Sequence, residues 1–458
     1  MPSILGANTL SGGYDVANSL RFNDGSSDYL NRTCGAGSRQ TWTLSMWVKR
    51  GTLGTDQSLF STYVHANDEF KINFYDTDRV GMRFYNGSEF QLESNRLFRD
   101  TSAWYHLVFV ADTTNGTEGN RFRIYVNGTE ETSFAAEDQP SQNLQMSIND
   151  SNVQQIGRKQ TSAYFDGYMA EVVFIDGSAL TAASFGEFDE DSPTIWKPIN
   201  VSGLTFGTNG FHLDFEDSSS LGNDVAGSNN FSVNNLTAVD QSTDTCTNNF
   251  CTLSPLYNVD GSYTLSEGNT EFLGTGGNDH TLGTLGVQGS GKWYFEAEFD
   301  TNSAAAYAGF ADSDLANNLA PDAAGVTVFI GMYRDDHTMQ IGGGNEGAYT
   351  DVSDGDIFGF AMNLDANSGS KTVIVQKNGS TIDTVTIPTA NEDNIFIPIV
   401  GDTSGTDARL KLNCGGMPNP TPSSGVADAK GHGSFEYSPT ISSVDYLAIC
   451  TKNIAEFG

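Results

Sequence analysis

Cleaving a glycosidic bond takes two carboxyl groups flanking it, one to donate a proton and one to attack or to activate water. Along the 458 residues, the nearest set with suitable spacing is Glu187, Asp189 and Asp191. On a strand, where successive side chains alternate, i, i+2, i+4 spacing puts all three on one face. No apolar strand residues surround them and Pro193 follows, so the stretch reads as a solvated acidic turn. The expectation is a non-enzyme with no catalytic residues. The histidines, at 65, 106, 212, 280, 337 and 432, show no close metal-ligand spacing. His106, beside Tyr105 in an apolar run, reads as a core or half-buried residue, and no zinc site or Ser-His-Asp triad is supported.

Holding a sugar without cleaving it asks instead for aromatic rings and amides on a sheet face or at loop tips. Trp47 faces away from the apolar set of its own strand, and with Tyr63 and Tyr85 it makes up the sugar-contact candidates. The competing reading is that a second layer also buries that face, which would make Trp47 a packing residue.

The elements that must carry these residues are strands. From Thr41 to Lys49 the alternation places Trp42, Leu44, Met46 and Val48 on one face and Thr43, Ser45 and Trp47 on the other. Similar runs follow at Phe70 to Tyr75, Val80 to Tyr85, Trp104 to Ala111, Arg121 to Val126 and Tyr168 to Ile175. Asn86-Gly87 and Asn127-Gly128 between them tolerate positive φ and close hairpins. From Tyr263 the rhythm resumes to the end of the chain, and the one helical feature expected is a short turn from Leu180 to Phe185 that Thr181 could cap. The fold class is therefore all-β: two tandem antiparallel β-sandwich (jelly-roll) domains, residues 1–195 and 257–458, joined by a turn-rich connector, 196–256, whose apolar islands could add strands to a neighbouring sheet.

Composition agrees, with 50 glycines and only 12 prolines in a chain long enough for two cores. Lys and Arg number 23 against 57 Asp and Glu, and a formal charge of -34 repels phosphates, so no nucleic-acid partner is expected. No apolar stretch approaches the roughly 20 residues of a membrane-spanning helix, and no signal peptide is read at the N-terminus. Five cysteines scattered over the chain, Cys246 and Cys251 the one close pair, read as mostly buried thiols.

Four stretches occur in the order of one known superfamily: LSMWVKR (Leu44 to Arg50), WYHLVFVADTT (Trp104 to Thr114), FRIYVNG (Phe122 to Gly128) and FDGYMAEVVFIDGSALT (Phe165 to Thr181). Over about residues 15 to 190 the chain resembles the laminin-G-like, concanavalin-A-like lectins. The resemblance implies a lectin-type sandwich, with calcium as the one cofactor it would bring, held at a rim by Asp24, Asp28, Asp112 and Asp166. The superfamily also includes glucanases with Glu, Asp and Glu on one strand face; here the third position is Asp191.

The second half resembles the SPRY fold through GKWYFEAEF (Gly291 to Phe299), YAGFADSD (Tyr307 to Asp314), DGDIFGFAMNLD (Asp354 to Asp365), VQKNG (Val375 to Gly379), LKLNCG (Leu410 to Gly415) and LAICTKN (Leu447 to Asn453). That implies partner contact through variable loops, here Arg334, Asp335, Asp336 and His337 and the stretch Gly342 to Tyr349. The opening segment followed by two such domains is similar to structural proteins of marine, cyanophage-like bacteriophages. What this implies is a virion location, other virion proteins and a host-surface glycan as partners, and a tail fibre or spike-type adhesin that would form a homotrimer. The alternatives are a capsid decoration (head fibre) protein and, third, an extracellular glycanase.

Overall fold

The computed structural model describes residues 13–257, 263–274, 279–300, 306–312, 352–365, 370–389, 392–402, 408–416, 422–423 and 425–458, and the strand backbones at 329–333, 338–341 and 344–348. The chain divides into two compact units, Gly6–Thr247 and one carrying Asn248–Gly458. Both are built from sheets whose strands pair antiparallel, apart from the short strand Leu447–Ala448, which pairs in parallel with Lys292–Phe299, and the described residues contain a single α-helix, Thr451–Phe457.

In the first unit the strands are β1 (Ser19–Phe22), β2 (Tyr29–Thr33), β3 (Thr41–Arg50), β4 (Gln57–His65), β5 (Asp68–Phe74) and β6 (Val80–Tyr85). There follow β7 (Glu89–Ser94), β8 (Tyr105–Asp112), β9 (Phe122–Val126), β10 (Thr129–Glu130), β11 (Phe134–Asp138) and β12 (Val153–Ile156). The last are β13 (Gly167–Asp176), β14 (Gly186–Phe188), β15 (Trp196–Pro198), β16 (Phe211–Leu213), β17 (Ser232–Asn234) and β18 (Gln241–Ser242). A front sheet runs β10-β9-β8-β3-β13-β1-β18 with β16 on β13, and a back sheet runs β11-β7-β6-β5-β4-β12-β2-β17. The alternation read in β3 faces the core, where Trp42, Leu44, Met46 and Val48 join Phe70, Ile72 and Phe74 of β5 and Met82 and Phe84 of β6 in one cluster. Trp42 meets Phe70 edge-on at 5.1 Å between centroids. Each such side chain contributes roughly 1.5–3 kcal/mol by leaving water. Asn127 and Gly128 take the positive φ values, 47° and 80°, that their hairpin turn requires.

The front sheet is buried on both faces. Thr43, Ser45, Trp47 and Lys49, on the side away from the core, are all 2% exposed or less. Their roof is the chain after β13: Trp196 stacks on His106, and Asp244 reaches Lys49. The stretch 196–247, expected as a connector, therefore folds into the first unit, supplying β16 and β18 to the front sheet and β17 to the back, and the division falls after Thr247. Two ion pairs and a hydrogen bond lock it: Lys49 with Asp244 at 2.8 Å, Arg21 with Asp240 at 2.7 Å, and Trp104 Nε1 donating to Asp244 at 3.0 Å. The helical feature near 180–185 is one 3₁₀ turn, Ala182–Ser184, and Thr181 makes no side-chain cap.

In the second unit one sheet orders Tyr263–Ser266, Glu271–Gly274, Ala408–Asn413, Lys292–Phe299, Asp356–Asn363, Thr372–Lys377 and Ser380–Thr386. The other orders Asp279–Leu282, Phe396–Asp402, Ala306–Asp312, Phe329–Tyr333, Thr338–Ile341 and Gly344–Ala348. Between them Phe295 stacks on Phe360 and meets Phe310 edge-on, at 5.0 and 4.9 Å. The closing helix was not legible in the sequence; it is seven residues long and its N-cap, Cys450, makes no side-chain cap. All five cysteines are buried thiols.

Candidate functional site

Beneath the roof of the front sheet lies the arrangement most like a catalytic one. Ser45 Oγ is 2.8 Å from His106 Nε2, and Trp196 Nε1 is 2.9 Å from His106 Nδ1. Indole nitrogen only donates, so Nδ1 is the bare nitrogen of a neutral ring and Nε2–H donates to Ser45. The ring thus has no lone pair to offer the serine. Burial pushes the His106 pKa down to about 3, which keeps the imidazole neutral. Trp47, proposed for sugar contact, is 1% exposed and packs 4.8 Å from His106, so it is a packing residue. The adjacent pair, Glu171 with His212 Nε2 at 2.9 Å, sits at a bulge of β13 where Glu171 takes a φ of 49°.

Glu187 ends up on the two-stranded β14–β15 hairpin, while Asp189 turns back to accept the backbone N–H groups of Asp191 and Ser192. Lys197 bonds both Asp189, at 3.2 Å, and Glu187, at 3.4 Å. This is an acidic hairpin turn in which Glu187 and Asp189 face a lysine of the same hairpin.

The aspartates assigned to calcium do not converge. Asp112, the last residue of β8, lies opposite Thr41 at the start of β3, whereas Asp166 lies against Gly51 beyond the other end of β3, a strand's length of roughly 30 Å away. Asp112 closes its own turn through Thr114, and Asp166 accepts from Thr52. Asp28 accepts from Asn23 N–H and the Ser26 hydroxyl, and burial raises its pKa to about 6; Asp24 is exposed in the same turn. Among the described residues no group of three or more His, Cys, Asp or Glu is placed to hold a metal ion.

The back sheet's outer face differs from all of these. Tyr63 of β4 and Tyr85 of β6 each lie directly opposite Glu69 of β5, so the two tyrosines stand on one face with the glutamate between them, two strand spacings or roughly 10 Å apart. Both are half-buried. Arg83 extends over the Tyr85 ring at 5.3 Å and bonds Glu69 at 2.7 Å and Glu89 at 2.5 Å. A polar row crosses the sheet at the next register position: Asn31, Gln155, Ser61, Lys71, Arg83 and Gln91. One side is walled by the loop 158–164, which is tied down by Ser61 Oγ donating to the Arg158 carbonyl at 2.8 Å. From that wall Arg158 stacks on Tyr29 at 3.2 Å and reaches the Tyr164 hydroxyl, and Lys159 bonds Glu69 at 2.8 Å. The sequence reading missed Glu69, Lys71 and Arg83, although their alternation with Phe70, Ile72, Met82 and Phe84 was available to find them. Nothing local announced Arg158 and Lys159.

Of the residues assigned to the second half, Arg334, Asp335, Asp336 and His337 lie outside the described residues. A cleft of about 430 Å³ in that unit is lined by Lys292, Asp365, Lys430, Asp445 and Phe457, with Lys292 and Asp365 paired at 2.7 Å.

Residues 24–184 match the family model described as the concanavalin A-like lectin/glucanases superfamily. No curated protein matches the chain. Similar solved structures include the SPRY domain of human HERC1, at 14% identity over 35% of this chain and 96% of that one, with a TM-score of 0.29. Domains LG4-5 of the mouse laminin alpha1 chain are similar at 12% identity over 89% of this chain and 92% of that one, TM-score 0.28. A putative carbohydrate binding protein from Bacteroides ovatus is similar at 16% identity over 48% of this chain and 59% of that one, TM-score 0.33.

Proposed function

We propose that this chain is a non-catalytic adhesin that grips glycans on the outer face of the back sheet, and that it does so on a bacteriophage particle as a tail-fibre-type protein. The observation that carries the glycan reading is the pair Tyr63 and Tyr85, on one face and flanking Glu69. Tyrosine rings offer an apolar body to the C–H face of a sugar and a hydroxyl to its edge, while Glu69, Gln91 and Arg83 supply acceptors and donors for sugar hydroxyls. A lectin-type sandwich is mainly a binding scaffold, and the ring of His106 has no base to give Ser45. The particle assignment rests on the resemblance of the sequence to phage structural proteins.

A glycan array on the intact protein tests the first part. Tyr63→Ala and Tyr85→Ala are each expected to lower binding roughly five- to tenfold, the scale of one lost aromatic contact; retention of full binding by both would overturn the site. Cryo-electron microscopy of particles tests the second, where three-fold density on the tail is expected. Density over the capsid lattice would replace the fibre with a decoration protein, and absence from the particle would remove the virion role.

A further inference from the structure

The geometry points to a selective ligand for this face: an acidic polysaccharide, whose carboxylate or sulfate groups sit on the ammonium of Lys71 between Arg83 and the Lys159 loop. The inference rests on the glycan reading above and narrows it to a substrate class.

In a chain of net charge -34, this one face gathers Lys71, Arg83, Arg158 and Lys159. Two carboxylates answer them directly: Glu69 takes Arg83 and Lys159, and Glu89 takes Arg83 again. Arg158 is held by the Tyr29 ring and the Tyr164 hydroxyl. Lys71 lies in the polar row directly opposite Arg83, with its ammonium 5.4 Å from the Tyr75 ring. Among the described residues no carboxylate bonds it. Burial lowers its pKa, Lys159 and Arg83 lower it further, and the nearby charges of Asp56 and Glu69 offset this only in part, so a bound anion would restore what the fold withholds.

The floor beside it is also short of partners. Asn73 Oδ1, Ser58 Oγ and the Tyr75 hydroxyl are buried with no hydrogen-bond partner, and Asn73 is 1% exposed. Asn73 follows Lys71 by two residues on the same face and pairs with Ser58 across the sheet. A sugar acid unit brings both complements at once: an anion for Lys71, and hydroxyl donors for the carbonyl oxygen of Asn73. The overall negative charge does not forbid this. At physiological salt, interactions beyond roughly 8 Å are screened while groups in contact are not.

The test is calorimetric titration of the intact chain with an oligouronate, a sulfated dextran and uncharged dextran. At least one anionic polymer is expected to bind more tightly than dextran, and which one identifies the group recognised. Lys71→Met is expected to lower that affinity roughly tenfold, as loss of one charge-assisted hydrogen bond does, and with it the preference over dextran. Lys71→Arg, which keeps the charge, should retain the anionic preference, and an unchanged unfolding midpoint certifies the fold of both variants. Equal affinity for dextran and the anionic polymers, or indifference to Lys71→Met, overturns the anion assignment alone, provided Tyr63→Ala and Tyr85→Ala still weaken binding. Binding of no polymer, or tyrosine variants that bind as well as the parent, overturns the glycan reading and this inference together.

Discussion

His106 carries more information than its neighbours because both ring nitrogens are assigned by what they touch. The indole of Trp196 fixes the bare nitrogen at Nδ1 and the proton at Nε2. Nitrogen-detected NMR should find a neutral ring protonated at Nε2 even at pH 5, and a serine-reactive fluorophosphonate should leave Ser45 unlabelled; an imidazolium signal or labelling would contradict this arrangement. The same residue sets a pH dependence. Its folded pKa, about 3, is below the ordinary value, so the unfolded chain takes the proton first and stability is lost as pH falls below ~6.5, by up to ~1.4 kcal/mol per pH unit. His212 acts in the opposite sense: burial lowers its pKa, but the Glu171 bond and charge outweigh that and raise it. Its contribution is present at low pH and lost as pH rises. His212→Gln should therefore abolish the gain in urea midpoint that appears as pH falls towards ~6.5 from above, while leaving the acid slope between pH ~6.5 and ~4 unchanged, followed by tryptophan emission. A third residue-scale expectation concerns Lys49 and Asp244, which are 1% and 0% exposed. Lys49→Met leaves a buried carboxylate without its counter-ion and should cost about 3–5 kcal/mol, with much of it recovered in the double variant with Asp244→Asn.

At the scale of elements, the roof decides where the first unit ends. A fragment stopping at Ile195 would bare Trp47, His106 and Lys49 and lose β16, β17 and β18, so it should be insoluble or unfold without cooperativity in a thermal melt. One ending at Thr247 should melt cooperatively; equal behaviour of the two would show that the roof is dispensable. The strands themselves were legible because alternation is local: Trp42 to Val48 declares an inward face whatever lies above it. The fate of the opposite face was not, because Lys49 meets Asp244 across 195 positions and nothing near Trp47 signals a second layer. The calcium set failed for a related reason. Asp112 and Asp166 look alike as acids beside apolar runs, and only the antiparallel course of β8 and β13 along β3 puts them at opposite ends. Tyr63 and Tyr85 were singled out from the sequence, but the face they share, the glutamate between them and the cationic wall needed the sheet register.

For the whole molecule, charge is the governing quantity. A net -34 opposes compaction through self-repulsion that salt screens. The melting temperature should climb by a few degrees between ~0.01 M and ~0.5 M sodium chloride, since the Debye length shrinks from roughly 30 Å to a few ångström; a flat profile would mean that the acids are already neutralised by local partners. Among the described residues no helix is long and apolar enough to cross a membrane. The claim on which the rest depends is that glycan binds on the back sheet, and hydrogen–deuterium exchange of the intact protein with and without the best glycan from the array tests it most directly. Protection confined to β4 through β7 and the loop 158–164 is the expected footprint. Protection at the turns around Asp28 and Asp112, or within the second unit alone, would contradict it.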